Sequence, residues 1–180
     1  MLREIRKCED GHSVDLTTDD SGRIVLVECW FLDEKPNRSD GPAFVLRDEN
    51  TAFITLEEWW RSGVVHRLDG PAIIEYDPIN GALVVETWYA NGMFCRSDGP
   101  CVVERCPETG AVLYEEWRDN GVESRADGPA IIYRDEKSNI LREEWWKGGK
   151  SISVRNLGPI PPTYSRSSSK NFGRLNIVAS

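Results

Sequence analysis

Apolar and β-branched residues in this chain come in short runs, each closed by turn-forming residues, and nowhere do they fall at helical spacing. Residues 67–95 show the pattern most clearly. Asp69-Gly70-Pro71 reads as a turn, because Asp can bond backbone two residues on and Pro presets the next φ. Residues 72–76 form a short stretch of β-formers, and Asp77-Pro78-Ile79-Asn80-Gly81 is a second turn. Residues 82–89 form a longer strand, Ala90-Asn91-Gly92 a third turn or bulge, and Met93-Phe94-Cys95 leads onward. Three turn signals in 29 residues leave no room for a helix of ordinary length. The unit is therefore a hairpin, and successive hairpins make a meander.

The unit repeats. Arg67-Leu68-Asp69-Gly70-Pro71-Ala72 recurs as Arg38-Ser39-Asp40-Gly41-Pro42-Ala43, as Arg96-Ser97-Asp98-Gly99-Pro100-Cys101 and as Arg125-Ala126-Asp127-Gly128-Pro129-Ala130, a period of 29 residues. Such a period marks a repeat array, in which each unit is stabilised by its neighbours. Asp40, Asp69, Asp98 and Asp127 are thus structural repeat residues, expected to form turns.

A second signature, Glu-x-Trp, places Trp30, Trp59, Trp88 and Trp117 at the same period, and Trp145 one residue early. Residues i and i+2 of a strand share a face, so each Glu should project with its Trp. Arg38, Arg67, Arg96 and Arg125 recur in step with them. An arginine stacked on an indole while paired with a carboxylate is favourable by about 0.5–2 kcal/mol. The ladder therefore reads as structural stapling. His66 stands before a repeated arginine in a slot that also holds Asn37, Cys95 and Ser124, so this slot shows no sequence preference.

The ends depart from the pattern. Residues 1–23 hold a degenerate first unit, with Asp10-Gly11 as a decayed turn and Val14-Asp15-Leu16 as a short strand. Terminal units of an array are usually atypical. Residues 24–160 carry the array. Its last corner is eroded to Arg155-Asn156-Leu157-Gly158-Pro159-Ile160. Residues 161–180 read as a basic, flexible tail containing a short apolar element, 175–178.

Glu86-Thr87-Trp88-Tyr89-Ala90-Asn91-Gly92, echoed by Trp117-Arg118-Asp119-Asn120-Gly121, resembles the MORN repeat. The Arg-x-Asp-Gly-Pro-Ala string and the long period resemble a MORN-like variety found in uncharacterised bacterial, phage and large-virus proteins, some grouped with antitoxins. The resemblance implies short hairpins stacked into an elongated, curved meander that serves as an interaction scaffold. The fold expected is all-β: tandem β-hairpin repeats in an elongated, single-layer antiparallel meander.

Composition narrows the chemistry. Residues 1–146 carry 16 basic and 30 acidic side chains, whereas 147–180 carry 6 basic and none acidic. The charge of the body disfavours direct nucleic-acid binding, which depends on neutralising phosphates. No run of 18 apolar residues implies a transmembrane segment, and the first residues lack the apolar core of an export signal. A cytoplasmic setting with reduced thiols follows as the expectation for Cys8, Cys29, Cys95, Cys101 and Cys106, and Cys101 fills an alanine slot. There is no CxxC pair, only two histidines, no nucleophile motif and no phosphate-binding loop. The aspartate row does not converge on one point as calcium requires. No enzyme activity, metal or cofactor is expected.

The first functional expectation is a non-enzymatic protein-binding scaffold acting through an open sheet face. Its candidate contacts are the slots after each Trp, namely Phe31, Trp60, Tyr89 and Trp146, with the acidic Glu58, Glu116 and Glu144. The alternative is an acidic, nucleic-acid-mimicking inhibitor of a nucleic-acid-handling enzyme, in the manner of some phage anti-defence proteins. That reading draws on Glu57-Glu58, Glu115-Glu116, Glu143-Glu144 and the Asp-Gly-Pro row. Open edge strands also admit a homodimer.

Overall fold

The computed structural model of the chain describes residues 1–94 and 96–161. Cys95 and the tail 162–180, including Arg166, Lys170, Arg174 and the apolar element 175–178, lie outside the described residues. The described residues form strands and turns and no helix. In chain order these are β1 (Leu2–Lys7), β2 (Ser13–Thr18), β3 (Val25–Leu32), β4 (Lys35–Pro36), β5 (Phe44–Arg47), β6 (Ile54–Glu58), β7 (Trp60–Arg61), β8 (Val64–Val65), β9 (Ile73–Tyr76), β10 (Leu83–Thr87), β11 (Tyr89–Ala90), β12 (Met93–Phe94), β13 (Val102–Arg105), β14 (Val112–Glu116), β15 (Arg118–Asp119), β16 (Val122–Glu123), β17 (Ile131–Arg134), β18 (Ile140–Lys147) and β19 (Lys150–Asn156).

Thirteen strands form one antiparallel sheet in the order β1-β2-β3-β5-β6-β9-β10-β13-β14-β17-β18-β19, with β4 beside the end of β3. Spatial order follows chain order, so the sheet is a meander. Three two-stranded ribbons, β7-β8, β11-β12 and β15-β16, extend three of the long strands sideways. Each unit is thus a hairpin of the main sheet plus a lateral ribbon.

Two turns build each unit. The Asp77 carboxylate accepts hydrogen bonds from the backbone N–H groups of Ile79 (2.8 Å) and Asn80 (3.0 Å), and Gly81 follows at φ 71°. Asp19, Asp48 and Asp135 act alike at the same period, with Cys106 in the remaining slot. At the ribbon tip, Asn91 and Gly92 have φ of 52° and 76°. Two consecutive left-handed residues make a type I′ turn, whose twist matches that of the strands it joins. Ser62-Gly63, Asn120-Gly121 and Gly148-Gly149 repeat it, and so does Asp33-Glu34 without a glycine. No side chain lies closer than 4.0 Å to a Cβ built on Gly92, so only its backbone conformation demands glycine. Gly92→Ala should therefore lower stability by about 1–2 kcal/mol, measured by urea unfolding, while the circular dichroism spectrum is unchanged.

A bulge sits at one fixed place in five successive hairpins, from β2-β3 to β17-β18. The register skips Leu26, Thr55, Val84, Leu113 and Leu141 in turn. An extra residue on one strand sharpens the local right-handed twist, so a bulge per unit coils the sheet regularly. Across one face the register aligns Phe44, Glu58, Ile73, Thr87, Val102, Glu116, Ile131 and Glu144. All eight are buried, and apolar and polar members alternate strictly along the row. A bare sheet could not bury them. Phe94 from a ribbon, Trp146 from the end of β18 and Ile160 pack against the cluster of Val85, Val102, Tyr114, Ile131 and Tyr133. This face of the sheet is therefore closed by the unit's own side chains.

Candidate interaction face

The Arg-x-Asp-Gly-Pro-Ala string resolves into one construction. The Arg67 guanidinium lies 4.0 Å from the Trp59 ring centre; Arg38, Arg96 and Arg125 lie 4.3, 4.2 and 4.0 Å from Trp30, Trp88 and Trp117. Arg67 Nε donates to Asp69 Oδ1 (3.0 Å), and Nη1 donates to the Pro71 carbonyl (3.2 Å). On its other side the guanidinium presses on Gly70, where an added Cβ would stand 2.7 Å from Arg67 Cζ. Gly70 is needed for this close approach, since its φ is not in the left-handed range. Ala72 is wholly buried, its N–H donating to the Thr87 carbonyl (2.9 Å) and its carbonyl accepting from Trp59 N–H (2.8 Å). Asp40, Asp69 and Asp127 are exposed, and the arginine hydrogen bond holds each carboxyl below its ordinary range. The corner is a staple from one hairpin to the next.

The Glu of Glu-x-Trp is bonded elsewhere than expected. Each stacked arginine pairs with the aspartate of its own corner, and among the described residues only Arg38 also reaches a ladder glutamate, Glu28 (3.1 Å). Glu86, Glu115 and Glu143 pair instead with Arg105 (3.0 Å), Arg134 (3.0 Å) and Arg155 (3.3 Å), and Glu57 accepts from the Tyr76 hydroxyl (2.9 Å).

The acidic candidates of the neighbouring slot are inside the protein. Glu58 is buried and accepts from the Trp60 indole N–H (2.8 Å). Glu116 is buried between the Tyr114 hydroxyl and the Arg118 guanidinium (2.6 Å). Glu144 is buried against the Trp146 indole N–H (2.9 Å) and Arg142 (2.9 Å). A carboxylate removed from water must be paired in this way. None of the three is presented to a partner. The aromatic candidates Trp60, Trp146 and Tyr89 turn inward with them. Trp60 and Trp146 bond those glutamates, Tyr89 lies 4.4 Å from Phe94 between ring centres, and Phe31 is half-buried.

Burial raises the Glu58 carboxyl above its ordinary range, and burial followed by Glu104 and Glu58 does the same to Glu75. A carboxyl with a raised folded-state pKa keeps its proton where the unfolded chain has lost it. Its stabilising effect is full below about pH 4.3, the unfolded value, and is lost as pH rises through the higher folded value. Glu75→Gln should raise the melting temperature at pH 7 and flatten its decline between pH 4 and 7. An unchanged slope in thermal melts across that range would refute the assignment.

The ribbons present a surface that residue type alone did not announce. Trp60 pairs with Val65 and Tyr89 with Phe94 on the inner side; Arg61 pairs with Val64, Ala90 with Met93 and Asp119 with Val122 on the outer. Val64, Met93 and Val122 are exposed by 43%, 59% and 41%, so this outer row is apolar and open. Its signal in the sequence was position, the residue after the tip glycine at period 29. The slot before the motif arginine has a role too. Asn37 Oδ1 accepts from Ser62 N–H (2.9 Å), His66 Nδ1 from Asn91 N–H (3.0 Å) and Ser124 Oγ from Gly148 N–H (3.4 Å). It selects a hydrogen-bond acceptor, which docks the next ribbon tip. Gly63, Gly92 and Gly149 also donate to the carbonyls of Pro36, Val65 and Glu123. The ribbons thus form a second ladder beside the sheet.

Among the described residues no cluster of metal-ligating side chains occurs, and no helix is long and apolar enough to cross a membrane. No protein-family model and no curated protein matches the chain.

Proposed function

We propose that the chain is a MORN-like, non-enzymatic scaffold that binds a protein partner along its ribbon tips. The observation that carries this reading is the outward row Val64, Met93 and Val122, repeated on a ladder whose interior is already closed. Apolar side chains held outward at regular spacing on a rigid support are what a partner can cover. Lys35 and Lys150 continue the row at either end and give it a polar rim. The carboxylates that would mimic a nucleic acid favour the other reading less, because Glu58, Glu116 and Glu144 are internal and the Asp-Gly-Pro carboxylates face their own arginines.

The test uses the purified full-length chain and the double variant Met93→Asp/Val122→Asp. A partner isolated from the native host and then purified should bind the parent chain equally at low and high salt, and should bind the variant at least tenfold more weakly. The variant should melt within a few degrees of the parent. Binding that disappears at high salt and ignores the two substitutions would reject the apolar row and point to charge mimicry.

A further inference from the structure

Four of the five repeat tryptophans carry a guanidinium on their ring. Trp145 carries none among the described residues. The cause is the path of the chain. After the Gly148-Gly149 turn the backbone does not leave for a new corner but runs straight back as β19, with Ser153 opposite Trp145. The eroded corner then comes too late to serve Trp145. Arg155 sits opposite Glu143 and pairs with it at 3.3 Å. Trp145 instead lines an open cleft of about 740 Å³ with Asp119, Asp127, Trp146, Lys147 and Ile152. Asp127 is held by Arg125, which also borders the cleft, whereas Asp119 has no cationic partner among the described residues.

The array itself shows what this position accepts. At every other copy it is an arginine side chain, stacked on the indole with a carboxylate near its edge. We propose that the Trp145 cleft is an arginine-binding site and that its occupant is an arginine of the chain's own C-terminal segment, Arg166 or Arg174.

Reach and composition favour that occupant. Residues 162–180 contain Arg166, Lys170 and Arg174 and no acid. The Gly158 N–H donates to the Leu141 carbonyl (3.1 Å), and Ile160 packs on the apolar cluster that Trp146 joins, which brings the chain to this end of the array. Leu141 and Trp145 are four residues apart on β18, roughly 13 Å at strand rise. Arg166 is eight residues beyond Gly158, a reach of up to about 28 Å. The aspartate that the last corner lacks at Leu157 is replaced at the cleft by Asp119.

The test reads the indole N–H signals of the full-length chain by nitrogen-15 NMR, with the Trp145 signal assigned through Trp145→Phe. Arg166→Ala or Arg174→Ala should move the Trp145 signal by more than its line width and leave that of Trp117 in place. The double variant should then respond to added N-acetyl-arginine amide, whereas the parent chain should not. A Trp145 signal that stays put in the double variant overturns the proposal. A parent chain that responds to the added arginine as readily as the double variant also overturns it, because the cleft would then be vacant and serve an arginine from another molecule.

Discussion

Glu116→Ala is expected to destabilise the protein by about 3–5 kcal/mol. The carboxylate is 3% exposed and holds two groups at once, the Tyr114 hydroxyl and the Arg118 guanidinium. Its removal leaves the Arg118 cation facing a cavity, with the longer contact to Glu123 as its remaining counter-charge. The remaining bonds of Arg118, to the Gly121 carbonyl (2.9 Å) and Glu123 (3.4 Å), do not replace it. Burial and the neighbouring Glu116 together push the Tyr114 hydroxyl up, so the phenol stays neutral and needs an acceptor. The triple variant Tyr114→Phe/Glu116→Leu/Arg118→Met should recover most of the loss, because an apolar set has no hydroxyl or charge to leave unpaired. Urea unfolding of the three proteins decides the matter. A mild loss in Glu116→Ala, below 1 kcal/mol, would mean that water replaces the carboxylate and that this face is not closed.

Ile73→Ala should cost a comparable amount, about 2–5 kcal/mol. Ile73 is 2% exposed and stands between Glu58 and Thr87 in the buried row. Ile131 is its equivalent two units on, at 1% exposure between Glu116 and Glu144. The two substitutions delete the same atoms from equivalent positions of the buried row, at different places in the array. In a linear array stability is a sum of unit and interface terms. A weak unit near the middle divides the array, whereas one near an end shortens it. Ile73→Ala should therefore broaden the unfolding transition and separate the hydrogen exchange of residues before and after it. Ile131→Ala should instead release the strands beyond it early. Identical exchange maps would show that the array unfolds as a single cooperative block.

Much of this arrangement was legible in the residues. The all-β hairpin meander followed from short β-rich runs between turns, and four arginines do lie on tryptophans of the ladder, each on the one that precedes its corner. Asn91-Gly92 was open between a turn and a bulge, and its two left-handed residues settle it as a type I′ turn. Three features were not legible, each for a physical reason. A bulge such as Val84 has no residue signature, because the extra residue is defined by pairing with a partner strand. The ladder glutamate was the expected partner of Arg67, but the guanidinium turns back onto Asp69 of its own corner, a direction that residue type does not carry. The inward direction of Glu58 and Trp60 depended on the break at Trp59, where the strand ends and the ribbon begins. Alternation along the chain located the face but not what covers it.

The coincidence of chain order and strand order has a mechanical consequence. Tension applied between the two ends of the array would load one strand pair at a time, and the outermost hairpins would yield first. Residues 1–7 and 150–156, the outermost strands, are exposed along their whole length. Each inner unit is pinned separately, through its corner arginine and its ribbon tip. Extension would therefore proceed in steps of one 29-residue repeat, about 100 Å of released chain each. The molecule behaves as a row of fasteners in series, each of which can open while its neighbours hold.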